Sequence, residues 1–354
     1  MTKSKHAIRF TYLSQEDLLE AGCFDFRLAI DAAESALLAH QRGEVLFPEK
    51  IVQIFNDDTQ ERINCLPATL LAERVCGMKW VSAFPPNVKK FGRQNLSALF
   101  VLSEIEKGFP IAVLEGTLAS NVRVGAMGGL AARHLAPSEP RTISFIGSGE
   151  QAKMHLVSMK TVCPSLVECR VSAKTEEEEH QFVDQLEALL PDIEFKQAGG
   201  DHAAAMEGAD ILVTGTSAQA PLLEAAWMKP GSFYSHIGGW EDEYEVAKQC
   251  DKIVCDDWDT VKHRTQTLSR MYKDGELSDS DIYADLVEVV AGDKPGREND
   301  EERIYFNAVG LAYVDVAIAL AMYRRAVAAG KGLELTMQET MIFEHDGLAD
   351  YLRL

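Results

Sequence analysis

Through the middle of the chain, short apolar runs alternate with stretches of helical spacing. TISFIG (142–147), VECRVSAK (167–174), EFKQAG (194–199), ILVTGTS (211–217), SFYSHIG (232–238) and KIVCDD (252–257) read as strands. Helical stretches lie around 150–163, 176–190, 202–208 and 243–249. Strands that alternate with helices predict a parallel sheet with right-handed crossovers. The flanks differ. Residues 14–43 read as helix, with Ser14 before Gln15-Glu16-Asp17 as a candidate N-cap and apolar spacing from Phe26 to Gln41 ending at Gly43. From Val45 to Leu102 the runs VLFPEKIVQIF, GMKWVSAF and ALFVLSEI follow one another without helices, which predicts a mostly antiparallel sheet. Ser120–Leu135 is a helix of small residues suited to close backbone packing. Residues 258–300 are polar, with GDKPGREND a loop, and Val309–Gly330 returns to a long helix.

The most specific local signal is RTISFIGSGEQA, residues 141–152. A strand runs into Gly147-Ser148-Gly149-Glu150-Gln151-Ala152 and then into a helix, the arrangement that holds the pyrophosphate of a dinucleotide. The first glycine permits a tight turn and the second lets backbone N–H groups approach phosphate. Ala152 takes the small position where helix packs on strand. The helix N-terminus adds unpaired donors and partial positive charge.

Composition narrows the partners. The 354 residues are 46% hydrophobic and carry a net charge of −20. Two domains are the natural expectation at this length. The acidic balance argues against a nucleic-acid footprint or a polybasic membrane surface. Seven cysteines without C-x-x-C or zinc spacing predict reduced thiols and no metal site. MTKSKHAIRF has no apolar signal core and no run reaches a membrane span, so a soluble cytoplasmic protein is expected. The Glu176–Glu179 run reads as a solvated helix start.

The second strand of a dinucleotide fold normally ends in an acid for the ribose diol. Here it ends in VSAKT, so Ser172 and Lys174 stand where a 2′-phosphate would sit, which favours NADP(H) over NAD(H). Lys174 as a plain surface lysine is the other option. Three cations stand out elsewhere: Lys50 in FPEK, Lys79 in CGMKWVSAFPPN and Arg123 in ASNVRVGA. Lys79 is flanked by residues that should be buried, and a buried ammonium demands a partner. It serves either a structural salt bridge or an anion or carbonyl oxygen of a ligand. Arg123 can offer a bidentate fork to a carboxylate or a cofactor phosphate.

Taken together, GMKWVSAFPPN, NVRVGAMGGLAARHLA, FIGSGEQA, ADILVTGTSAQAPLL and VVAGDKPGREND running into VGLAYVDVAIA resemble the ornithine cyclodeaminase/mu-crystallin family, from about residue 45 to 330. The resemblance implies an α/β fold: a Rossmann-type doubly wound NAD(P)-binding domain over 136–307, and a mixed α+β substrate-binding and dimerisation domain from 1–135 and 308–354. It implies a homodimer and no nucleic-acid or membrane partner. By position it places Lys79 beside the substrate carbonyl or amine and Lys50 where an arginine usually meets the substrate carboxylate. Arg123 falls between substrate and cofactor, Gly147, Gly149 and Gln151 at the pyrophosphate, and Thr216 and Ser217 at a cofactor-contacting strand end. Ser148 and Glu150 complete the cofactor loop.

Trp240 is the departure. The family's cyclodeaminases carry an aspartate after the glycine pair, whereas this chain has Gly238-Gly239-Trp240-Glu241-Asp242. A tryptophan cannot accept a proton. Glu241 or Asp242 then takes over as the catalytic acid, or the chemistry differs; a solvated helix start is the plainer alternative for both. The first expectation is an oxidoreductase exchanging hydride at the Cα of an L-amino acid or its imine, as in amino-acid or opine-type dehydrogenases and imine reductases. The second is ornithine cyclodeamination with catalytic NAD⁺. The third is a non-catalytic NADP(H)-dependent binding protein, with Trp240 stacking on an aromatic ligand.

Overall fold

The computed structural model describes residues 6–56 and 58–353, so the first five residues of the N-terminal segment discussed above lie outside it. The chain forms two compact units. One combines the chain up to Asp25 with Glu44–Ser120 and the chain from Asp315; the other combines Phe26–Gly43 with Asn121–Val314. This division departs from boundaries at 135 and 308. The helix Phe26–Gln41 packs on the helices Glu150–Val162 and Leu286–Ala291, so its buried stripe of Phe26, Ala29, Ile30, Ala33, Ala36 and Leu37 belongs to the second unit. The small-residue helix runs over Thr117–Leu135 and passes from one unit to the other after Ser120.

The second unit holds an eight-stranded sheet in the order Glu194–Gln197, Glu168–Ser172, Thr142–Ile146, Ile211–Thr214, Phe233–His236, Ile304–Asn307, Lys252–Cys255, Ala284–Asp285. Every pairing is parallel. Its central strands are buried at every residue, as a sheet covered on both faces requires. The order reverses between Thr142–Ile146 and Ile211–Thr214. That is the switch point at which such sheets bind ligands outside the carboxyl ends of their strands. Ile304–Asn307, inserted between two predicted strands, was not foreseen. Nor is the polar segment 258–300 without helices. It contains Trp258–Val261, capped by the Asp257 side chain, Thr267–Asp274, ended by left-handed Gly275, and Leu286–Ala291, opened by an Asp285/Glu288 capping box. Its polarity is that of caps and outward faces.

The first unit holds the order Leu333–Gln338, Ile8–Leu13, Pro110–Glu115, Leu96–Glu104, Val75–Ala83, Glu61–Leu70, the last pairing with both Val45–Leu46 and Ile51–Asn56. All pairings are antiparallel except Ile8–Leu13 with Pro110–Glu115. Along Val75–Ala83 burial alternates: Val75, Gly77, Lys79 and Val81 face the core while Cys76 and Trp80 face out. The outward face is apolar, with Trp80 (40% exposed) opposite Leu99 (44% exposed), and Tyr12 opposite Leu333. The predicted helix over 14–43 is two helices, Gln15–Glu20 and Phe26–Gln41. Ser14 caps the first in a full capping box, its Oγ accepting from the Asp17 N–H at 3.1 Å while Asp17 Oδ2 accepts from the Ser14 N–H at 3.0 Å.

Candidate active site

Gly147 leaves the strand Thr142–Ile146 at φ +101°, and a Cβ there would lie 2.8 Å from the Gly215 carbonyl oxygen. Its N–H donates to the Ser172 carbonyl at 2.8 Å, which fixes the turn to the neighbouring strand. Ser148 is partly buried within the turn. Gly149 then forms the N-cap of Glu150–Val162, and a Cβ on it would meet nothing within 4 Å. A 13-residue helix thus begins at a residue without a side chain, with open space where a Cβ would stand. This cradle fits a pyrophosphate. Ala152 is fully buried beneath it, and Gln151 donates from Nε2 to Asn121 Oδ1 at 2.9 Å.

That bond ties the cofactor turn to the segment carrying Arg123. The Arg123 side chain is buried, and its guanidinium nitrogens would lie 2.5–2.8 Å from a Cβ on Gly310, which has φ +95°. Only glycine leaves room for the planar group here. Gly310 is itself fixed: Asp256 Oδ2 accepts from the N–H groups of Val309 (2.9 Å) and Gly310 (2.7 Å). Asp256 follows Lys252–Cys255 and Gly310 follows Ile304–Asn307, so both lie at the carboxyl edge of the sheet. Burial pushes the Asp256 carboxyl up to about 7, with its two N–H donors and Arg123 acting the other way.

In the first unit, Lys79 Nζ donates to Asp315 Oδ1 at 2.7 Å, and both groups are buried. Lys79 sits mid-strand on the core face and Asp315 on the helix Ala312–Ala328. The two residues are 236 positions apart, and the sequence reading did not pick out Asp315. Its signal was an acid within the apolar run VGLAYVDVAIA.

Glu241 and Asp242 lie on the short strand Trp240–Asp242 and are fully buried, so neither belongs to a solvated helix start; the helix begins later, at Tyr244. Glu241 accepts from the Thr216 N–H and, at 2.8 Å, from the Gly238 N–H. Asp242 accepts from Thr267 Oγ1 at 2.6 Å and Tyr305 OH at 2.9 Å. Burial raises its pKa above the usual carboxylate range, opposed by His236 and the two hydroxyls. His236, unflagged by the sequence, places Nε2 3.4 Å from Glu241 and engages Asn307 Oδ1 through Nδ1 at 2.8 Å. As placed, Glu241 braces the loops after Ile211–Thr214 and Phe233–His236, and Asp242 ties its strand to the start of Thr267–Asp274 and to Ile304–Asn307. Trp240 is partly buried, with the Arg270 guanidinium 4.7 Å from its ring centroid. Together with Pro221, Glu243, Tyr244 and Glu245 it lines a shallow cavity of about 380 Å³.

The remaining predicted residues are spread out. Ser172 is fully buried and its Oγ engages His202 Nδ1 at 2.7 Å, whereas Lys174 is exposed. The Thr216 Oγ1 accepts from the Ala218 N–H at 3.1 Å and Ser217 is exposed. Lys50 is partly buried in the loop before Ile51–Asn56. Among the described residues no group of three His, Cys, Asp or Glu side chains could hold a metal ion.

The second unit is thus a doubly wound dinucleotide-binding unit with a buried arginine at its ligand-binding edge, joined in one chain to a sheet carrying a lysine–aspartate pair. The chain belongs to the ornithine cyclodeaminase/mu-crystallin family, which matches residues 14–330. It is 29% identical to N-((2S)-2-amino-2-carboxyethyl)-L-glutamate dehydrogenase of Staphylococcus aureus over 92% of this chain and 98% of that protein. Among solved structures it is similar to Thermococcus litoralis Delta(1)-pyrroline-2-carboxylate reductase in complex with NADH and L-proline (TM-score 0.86, 28% identity, 92% and 99% covered). It is also similar to an archaeal alanine dehydrogenase dimer with bound NAD (TM-score 0.85, 30% identity, 94% and 100% covered).

Proposed function

We propose that this protein is an NAD(P)-dependent oxidoreductase that exchanges hydride at the Cα of an L-amino acid or its imine. The observation that carries it is the juxtaposition, on one edge of the second unit, of an open pyrophosphate cradle and the buried Arg123 guanidinium. The dehydrogenase and reductase relatives support it. The bound nicotinamide supplies or accepts the hydride. The Gly147–Gln151 turn holds the pyrophosphate through backbone N–H groups. Arg123 binds the α-carboxylate through its rigid fork, helped by Lys50. Lys79 Nζ holds the proton that moves to or from the substrate nitrogen, and Asp315 keeps that amine oriented and balances its charge. Glu241 holds the loops that border the cofactor, including Thr216 and Ser217, and Asp242 anchors the same short strand to Thr267 and Tyr305.

Trp240 at the position of the cyclodeaminase acid favours simple hydride exchange over cyclisation. The experiment is a screen at 340 nm of amino acids, and of keto acids with amines, using both cofactors. Substrate-dependent change in reduced nicotinamide is expected. Proline formed from ornithine without net absorbance change would instead establish the lyase. Ligand-induced quenching of tryptophan fluorescence with no turnover would establish a binding protein. Lys174, exposed at the tip of the second strand, is the group that would favour NADP(H), and the ratio of the two cofactor KM values reads its effect.

The outward apolar face of the first unit's sheet supports a homodimer, the assembly of the archaeal relative. Seven free thiols support a reducing, cytoplasmic setting. Among the described residues no helix is long and apolar enough to cross a membrane.

A further inference from the structure

The turn between Trp258–Val261 and Thr267–Asp274 is locked onto the edge that carries Arg123. Gln266 donates from Nε2 to the carbonyls of Gly238 (3.0 Å) and Ala308 (3.1 Å), and its Oε1 accepts from Asn307 Nδ2 at 2.8 Å. Ala308 leads directly into Val309-Gly310, the turn that Arg123 lies against. Two residues before Gln266 stands Arg264, whose backbone is fixed as well. Its N–H donates to the Val261 carbonyl at 2.9 Å, and its carbonyl accepts from Lys273 Nζ at 2.8 Å.

The Arg264 side chain does not share this saturation. It is half-buried, and among the described residues it forms no ion pair, while its buried Nε has no hydrogen-bond partner. The chain has 55 Asp and Glu against 35 Lys and Arg, so carboxylates were plentiful. A guanidinium presents five donors that cannot be neutralised by deprotonation, and burying them without an acceptor is costly. Asp256 is the acid whose charge acts on Arg264, and it acts on Arg123 too. Its oxygens already accept from Asp257, Val309 and Gly310. Among the described residues Arg264 therefore has no carboxylate of its own, and its positive charge is left for a ligand.

We propose that Arg264 binds a second anionic group of the substrate, so that the preferred amino or imino acid carries a carboxylate in addition to the one at Cα. This rests on the oxidoreductase assignment above. The same guanidinium chemistry would suit a cofactor phosphate, and the measurements separate the two sources. Wild type, Arg264→Gln and Arg264→Lys are assayed as full chains with NADH, ammonium or methylamine, and either 2-oxoglutarate and oxaloacetate or pyruvate and 2-oxobutyrate. Wild type should prefer the dicarboxylic acids. Arg264→Gln should lose about 10- to 100-fold in kcat/KM on them and change less than about twofold on the monocarboxylic acids, with Arg264→Lys in between. Equal losses on both classes, or no loss, overturns the proposal. Weaker NADH binding by Arg264→Gln assigns the anion to the cofactor and also overturns it. If wild type turns over nothing, the oxidoreductase assignment fails separately, and calorimetry of glutarate against butyrate on the NAD⁺-loaded protein still decides Arg264. Tighter glutarate binding that Arg264→Gln abolishes upholds it, and equal binding refutes it.

Discussion

The two sheets of this molecule carry their polar chemistry in different places. In the second unit the strands are buried on both faces, and the polar groups of its ligand edge gather at their carboxyl ends: the glycine turn, Asp256, Val309-Gly310 and the Gln266 turn lie in loops there, and the helix Thr117–Leu135 brings Arg123 against Gly310. In the first unit the sheet has one buried and one exposed apolar face, and its reactive cation, Lys79, sits mid-strand on the buried side. A doubly covered parallel sheet has no face to spare for chemistry, so only its ends remain. A sheet packed on one side can host a charge within a strand if a neighbouring helix brings the counterion, as Asp315 does. The difference also leaves the first unit with a surface that water solvates poorly.

The largest expected effect separates mid-strand chemistry from strand-end binding. Lys79→Met should lower kcat by about a thousandfold, in the range for losing a general acid–base group, while NAD(H) affinity measured by fluorescence titration holds within about twofold. Cofactor affinity falling in parallel would remove the assigned role. Next comes the exposed face: Leu99→Glu places a charge opposite Trp80 and should convert a dimer to monomers in sedimentation velocity at micromolar concentration. A variant that stays dimeric moves the interface elsewhere. The smallest effect concerns the strand ends. The folded Asp256 carboxyl keeps its proton up to about 7, against 3.8 for the ordinary group. Its contribution to stability is therefore fully present below about pH 4 and is lost as pH rises toward 7. Across that window the melting temperature of wild type should fall by several degrees relative to Asp256→Asn; parallel curves would show that the group titrates normally.

Much of this was legible where the signal is local. The turn at Gly147 and Gly149 is written in consecutive residues, and Lys79 betrays itself as an ammonium among apolar neighbours. What escaped depends on distant segments. Asp315 becomes the partner of Lys79 only when a helix near the end of the chain packs on the sheet. The amphipathic pattern of Phe26–Gln41 shows that it buries a stripe, not which unit receives it. Ile304–Asn307 is four residues long and, after a polar loop, runs into the apolar stretch that leads to the helix Ala312–Ala328, so its place in the middle of the sheet rests entirely on pairing with Phe233–His236 and Lys252–Cys255. Glu241 and Asp242 look solvent-facing in a run of three acids after a tryptophan. Their burial follows from donors on Thr216, Gly238, Thr267 and Tyr305, which no linear pattern aligns.

The pairing of Ile8–Leu13 with Leu333–Gln338 has a consequence in time. At roughly 5–20 residues per second, a ribosome needs about 15–65 s to go from the first of these strands to the last. Through that interval the early strand can find Pro110–Glu115 on one side, but its other edge stays open to any passing chain. The dinucleotide unit has all its strands by Asn307, well before that edge can close. Newborn molecules thus pass through a stage in which one unit can be complete while the other still awaits its final strand.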